Sequence, residues 1–98
     1  MLDKLLQGVE VRSLVGDGTV AVGRLEFDSR KVVPGTLFFA TRGTQADGHA
    51  YIPAAVAAGA AAVVCEELPA ERPVGVTFVQ VPDSTVALGQ VASALRAS

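Results

Sequence analysis

The sequence predicts an α/β fold, a single small domain built on an open mixed β-sheet with flanking helices, and three patterns carry that prediction. Residues 37–40 and 62–65 are continuous apolar runs, short enough for strands and apolar enough to be covered on both faces. Residues 51–58 between them read as a helix, which makes strand, helix and strand a crossover unit with parallel strands and right-handed connection. A further helical pattern over 85–97 gives the sheet a second helix to bury it, the layering of an α/β domain.

The elements follow in chain order. Leu2, Leu5, Leu6 and Val9 lie at i, i+3, i+4 and i+7, so residues 2–7 read as a short amphipathic helix stopped by Gly8. Val9, Val11, Ser13 and Val15 alternate with Glu10, Arg12 and Leu14, as on a half-buried strand, before the Gly16-Asp17-Gly18 turn. A strand over 19–27 puts Val20 and Val22 on one face but leaves Leu25 and Phe27 out of phase, which a bulge or break near Gly23 reconciles. Pro34-Gly35 turns the chain into 37–40. Residues 41–49 are loop, and the helix over 51–58 tolerates Pro53 only in its first turn and ends at Gly59. Its alanines suit close packing on a sheet. After a polar connection over 66–75, residues 76–81 form the last strand. Asp83 or Ser84 caps the final helix, with Leu88, Val91, Ala92 and Leu95 on its buried face. Gly89 inside that helix is read as marking a close packing contact, because it costs about 1 kcal/mol relative to alanine.

Composition bounds the function. Ninety-eight residues, half of them hydrophobic and 18% charged, make one ordered domain with one modest core. A net charge of −2 and a pI near 5.2 argue against a domain held on nucleic acid or anionic lipid mainly by charge. One cysteine, Cys65, forms no internal disulfide, and one histidine, His49, builds no zinc site. No apolar stretch approaches the roughly 20 residues of a membrane span, and the start lacks a signal-peptide pattern. A cytoplasmic protein is the expectation.

Phosphate-loop, dinucleotide, nucleophile-elbow and zinc-protease motifs are absent from the sequence, so the segment reads as a binding module and not a complete active site. Two polar loops interrupt the apolar chain beside core strands: Phe27-Asp28-Ser29-Arg30-Lys31, and Gly43-Thr44-Gln45-Ala46-Asp47-Gly48-His49. The second leaves a strand end and enters a helix, where open α/β sheets bind ligands and free N–H groups favour anions. The Ser29 and Thr44 hydroxyls and the Gln45 amide suit a nucleobase edge or phosphate oxygens, and Arg30, Lys31 and Arg42 add local positive charge. Asp-Ser and Asp-Gly are also ordinary turn chemistry, so residue pattern alone leaves plain turns open. His49 reads as a helix-start or surface residue in preference to a general base, and Cys65 as a buried small hydrophobe.

The run from Asp28 to Gly43, DSRKVVPGTLFFATRG, resembles the N-terminal signature of the Mur ligases. So do Asp47-Gly48-His49-Ala50-Tyr51-Ile52, Ala54-Ala55, Gly59-Ala60 and Ala62-Val63-Val64. Similarity runs from about residue 20 to the C-terminus. It implies that residues 1–98 are the N-terminal UDP-binding domain of a cytoplasmic, three-domain, ADP-forming ligase of peptidoglycan biosynthesis. The central ATPase and C-terminal domains, with ATP and magnesium, would lie outside the chain, leaving no catalytic residue, metal or cofactor in this segment. By position, Phe27 and Ser29 match the first UDP-contacting segment, and Thr44, Gln45 and Ala46 the second, which holds uracil partly through backbone groups. Asp28 and Arg30 are expected to fix loop shape and not to touch ligand. The branch that adds the third residue to UDP-N-acetylmuramoyl-L-alanyl-D-glutamate is most similar, on residues 43–49 and 65–69. The branch adding the terminal dipeptide is the alternative, and a stand-alone regulatory or interaction module a third reading. The implied partners are the UDP-N-acetylmuramoyl-dipeptide and the protein's own remaining domains, with no nucleic acid and no membrane insertion.

Overall fold

The structure, a computed structural model, describes residues 2–41 and 47–97. Five strands form one sheet: β1 (Ser13–Val15), β2 (Arg24–Glu26), β3 (Thr36–Phe39), β4 (Ala62–Cys65) and β5 (Thr77–Gln80). The helices are α1 (Leu2–Leu5), α2 (Ile52–Ala57) and α3 (Ser84–Ala97), and two 3-10 turns occupy Ser29–Lys31 and Gly48–Tyr51. Strand order is β1-β5-β4-β3-β2, with β1 antiparallel to β5 and all other pairs parallel. The sheet is therefore mixed and open, and 37–40 and 62–65 are parallel neighbours as the apolar runs predict.

β3 and β4 are buried at every position. Strand geometry sends alternate side chains to opposite faces, and the core divides accordingly. Leu37, Phe39, Ala62, Val64 and Val79 meet Leu2, Leu5, Leu6, Ala87 and Val91 of the α1/α3 side. Phe38, Val63, Cys65 and Phe78 meet Val32, Ile52 and Ala55 on the other. Ala55 and Ala60 are buried, so the alanine-rich stretch does lie close on the sheet. Gly59 ends α2 at φ +105°, with Pro34 3.1 Å from where its Cβ would sit.

Because β1 and β2 occupy opposite edges, residues 16–23 cross the whole sheet, four strand spacings or about 19 Å. The crossing chain accepts the first N–H groups of α1: Leu2 donates to the Val20 carbonyl and Asp3 to that of Gly18. From β2 to β5 each strand lies beside its predecessor, so strand order has no reversal. The ends of β2, β3, β4 and β5 then deliver all their following loops to one end of the sheet.

Several expectations shift. The strand over 9–15 shortens to Ser13–Val15, because its partner β5 ends at Gln80 and Pro82 has no N–H to continue the ladder. Val9 and Val11 join the α1/α3 side while Val15 packs on the other, so the alternation does not run through. The strand over 19–27 shortens to Arg24–Glu26, beginning after the break at Gly23, whose N–H donates to Gly35. Val20, Val22 and Leu25 then share one face.

In α3, Asp83 is the cap: its Oδ1 accepts from Thr85 and Val86 N–H at 3.0 and 3.1 Å. Ser84 is buried, bonded through its N–H and hydroxyl to the Glu66 carboxylate, both at 2.9 Å. That anchorage turns the buried face to Ser84, Ala87, Val91 and half-buried Leu88 and Ala94, leaving Leu95 exposed. Gly89 faces open space, with no described heavy atom within 4 Å of a built Cβ, which corrects its reading as a packing contact.

Two glycines give opposite predictions. A Cβ on Gly48 would lie 2.6 Å from the Thr41 carbonyl oxygen and 2.9 Å from its nitrogen. Gly48→Ala should destabilise the fold by about 1–3 kcal/mol, the range for forced overpacking. Gly89→Ala should stabilise it by about 1 kcal/mol through helix propensity alone. Urea unfolding of the two variants beside wild type measures both, and equal midpoints for all three would contradict both assignments.

Candidate functional site

The loop that follows β2 is shaped by its own carboxylates. Glu26 Oε1 accepts from the N–H groups of Phe27 and Asp28 at 3.2 and 3.3 Å, and its other oxygen meets Arg24 Nη2 at 3.4 Å. Asp28 caps the 3-10 turn by accepting from Arg30 N–H at 3.0 Å. The same carboxylate takes the Arg30 guanidinium in two bonds, Nε at 3.1 Å and Nη2 at 2.9 Å. Hydrogen bonds from the Arg30 side chain, then from its backbone, hold the Asp28 carboxyl down to about 2. The Arg30 pKa is raised by the same partner. Asp28 thus fixes loop shape, as expected, and it fixes the direction of a side chain that is 87% exposed.

This loop lines an open depression of about 420 Å³ with Phe27, Asp28, Ser29, Arg30 and Tyr51. Phe27 is 62% exposed and Tyr51 48%. The half-buried Ser29 makes no side-chain hydrogen bond among the described residues, so its hydroxyl is available to a ligand. The structure therefore brings Phe27 and Ser29 together. Thr44, Gln45 and Ala46 lie outside the described residues.

The second loop returns at Asp47, next to the first because β3 neighbours β2. Asp47 Oδ1 accepts from His49 N–H at 3.0 Å and from His49 Nδ1 at 2.6 Å. On the far side of the ring, Nε2 accepts from the N–H groups of Glu66 and Glu67 at 2.9 and 3.2 Å. An Nε2 that accepts two N–H bonds carries no proton, so the ring holds its proton at Nδ1 and points it at Asp47. His49 is a structural bridge from the β3 loop to the end of β4, in agreement with its reading as a helix-start residue. It fixes the 3-10 turn that ends at Tyr51.

The anion-favouring helix start is not open. Gly48 N–H donates to Thr41, His49 N–H to the Asp47 carboxylate and Ala50 N–H to the Asp47 carbonyl. The chain has filled its own N-terminal positions, and α2 has only six residues. Nor does the strand order provide a switch-point crevice of the usual kind. What remains is an aromatic and hydroxyl-bearing depression whose rim carries the Asp28–Arg30 ion pair, suited to a planar ring with polar edges. Tyr51 is the member that sequence reasoning missed; only its exposure beside Phe27 reveals it. Cys65 is buried, its thiol pushed up to about 11 by burial, as its hydrophobic reading requires. Among the described residues no helix is long and apolar enough to cross a membrane.

Comparison with known proteins places this geometry. The model of the Mur ligase family, catalytic domain, matches residues 22–96. The UDP-N-acetylmuramoyl-L-alanyl-D-glutamate--2,6-diaminopimelate ligase of Bacteroides thetaiotaomicron is 45% identical over 93 residues, covering 95% of this chain and 19% of that protein. The protein of the same name from Bacteroides fragilis is 48% identical over 92 residues, covering 94% and 19%. That of Chlorobaculum tepidum is 52% identical over 80 residues, covering 81% and 16%. The chain thus spans about a fifth of the length of the relatives it matches. Among solved structures, MurF from Acinetobacter baumannii superposes with a TM-score of 0.83 at 23% identity, over 99% of this chain and 21% of that one, a likeness of fold alone. MurF ligase from Thermotoga maritima in complex with ADP gives a TM-score of 0.64 at 27% identity, over 76% and 17%. By its sequence match and by its five-stranded sheet, the chain belongs to the Mur ligase family.

Proposed function

We propose that residues 1–98 form the N-terminal, UDP-anchoring domain of a ligase that adds the third stem-peptide residue to UDP-N-acetylmuramoyl-L-alanyl-D-glutamate in the cytoplasm. The observation that carries this reading is the depression after β2, with exposed Phe27, the available Ser29 hydroxyl and the Asp28-held Arg30 guanidinium. The relatives named as diaminopimelate ligases, at 45–52% identity, favour this branch and diaminopimelate as the added residue. The dipeptide-adding branch is represented by structural neighbours at 23–27% identity, a lower likeness.

Under this reading the whole enzyme phosphorylates the substrate carboxylate with ATP and magnesium, and the incoming amine then displaces phosphate. The chain's part is positional. Phe27 packs on uracil, Ser29 hydrogen-bonds the nucleotide, and Thr44, Gln45 and Ala46 contact uracil from the second loop, partly through backbone. Anchoring a remote part of the substrate serves the reacting end by orienting it.

An amide chemical-shift titration with UDP, with ADP as control, tests the reading. Saturable, UDP-selective shifts at 27–31 and 43–49 are expected. Ser29→Ala and Gln45→Ala should each weaken UDP binding about two- to tenfold, the worth of one neutral hydrogen bond, while leaving the spectrum's dispersion intact. Unchanged affinity in either variant removes that residue from the site.

Loop support also has a pH signature. A carboxyl whose folded pKa is depressed contributes fully above its unfolded value, about 3.9, and loses that contribution as pH falls through the folded one. For Asp28 the loss runs from about pH 4 to about pH 2. The Arg30 amide resonance should titrate in that window and lose this response in Asp28→Asn. A flat Arg30 amide would contradict the cap.

A further inference from the structure

The chain has five aromatic side chains, four Phe and one Tyr. Phe38, Phe39 and Phe78 are wholly buried in the sheet core. The remaining two, Phe27 and Tyr51, are both well exposed, and both line the one depression after β2. They arrive from different elements: Phe27 from the end of β2, Tyr51 from the 3-10 turn that leads into α2. Tyr51 takes no side-chain hydrogen bond among the described residues; its hydroxyl interacts electrostatically with Arg30, and about half of its side chain stays exposed. Its backbone is nonetheless held firmly. Asp47 caps its turn, and the His49 bridge ties that turn to Glu66 and Glu67.

We infer that Tyr51 is a nucleobase-contacting residue, stacking its ring face on the pyrimidine of the bound UDP in the depression it lines with the β2 loop. The assignment rests on the UDP-anchoring reading and adds to it a residue from a second element. A flat ring with a π-face is the ligand chemistry that two exposed aromatics in one depression accommodate. Tyr51 is then a specificity residue: it rewards ligands that carry a base and is indifferent to the phosphates.

Titration of the full 98-residue chain with UDP and with inorganic pyrophosphate, which has no base, decides the point. Under stacking, UDP moves the Tyr51 ring protons upfield and pyrophosphate leaves them in place. Tyr51→Leu weakens UDP binding about fivefold or more, and Tyr51→Phe keeps wild-type affinity because the ring face remains. Wild-type chain that binds no UDP overturns the anchoring reading and this assignment with it. Wild-type chain that binds UDP while the Tyr51 ring stays unmoved overturns this assignment alone, whatever the variants do. Tyr51→Phe as weak as Tyr51→Leu likewise overturns stacking.

Discussion

β3, β4 and the first three residues of β5 have no solvent-facing side, and the rest of the architecture follows from covering them. A sheet apolar on both faces needs a layer on each. The chain supplies α1 and α3 to one and α2 with Val32 to the other. Parallel pairing from β2 to β5 makes every connection return across the sheet, so the loops that follow four strands gather at one end. The depression lies at that end because the core demands parallel strands.

Polar groups hold that end together. His49 joins the β3 loop to the two N–H groups after β4, and Glu66 joins that same point to the buried Ser84 at the start of α3. Each bond satisfies a backbone or buried group that secondary structure leaves unpaired, and such groups are costly to strand. Three neighbouring strand ends are thereby tied to one another by polar bonds in addition to their apolar packing. The β2 loop obeys the same logic with shorter reach, since Glu26 and Asp28 satisfy donors one or two residues away.

Legibility in the sequence followed burial. The central strands could be read because both their faces are apolar, so 62–65 fell on β4 and 37–40 within one residue of β3. The edge strands could not be bounded: β1 and β2 pair on one side only, and their lengths depend on where Gln80 and Gly35 stand, which no local pattern encodes. On α3 the expected face keeps Val91 and the half-buried Leu88 and Ala92 and loses only Leu95, while Ser84, a polar residue, is drawn inside by Glu66. Phe27 and Ser29, which the family resemblance names as candidates with plain turns left open beside it, do line the depression. Tyr51 reads in the sequence only as the start of a helix, and its place in the depression comes from the way its turn is folded against the β2 loop.

Exposed aromatic surface leaves apolar area in water that burial would remove, at about 25 cal/mol per Å². Phe27 and Tyr51 are kept out of a core that had room for the other three aromatics, and they are kept out together. The depression they share is open, so a nucleotide seated there would still face solvent on its outer side. Under the anchoring reading, that open side would be where the rest of the substrate extends away from the base. Openness is then suited to an anchor: it fixes one end of an extended ligand, and its binding energy is expressed as orientation at the other.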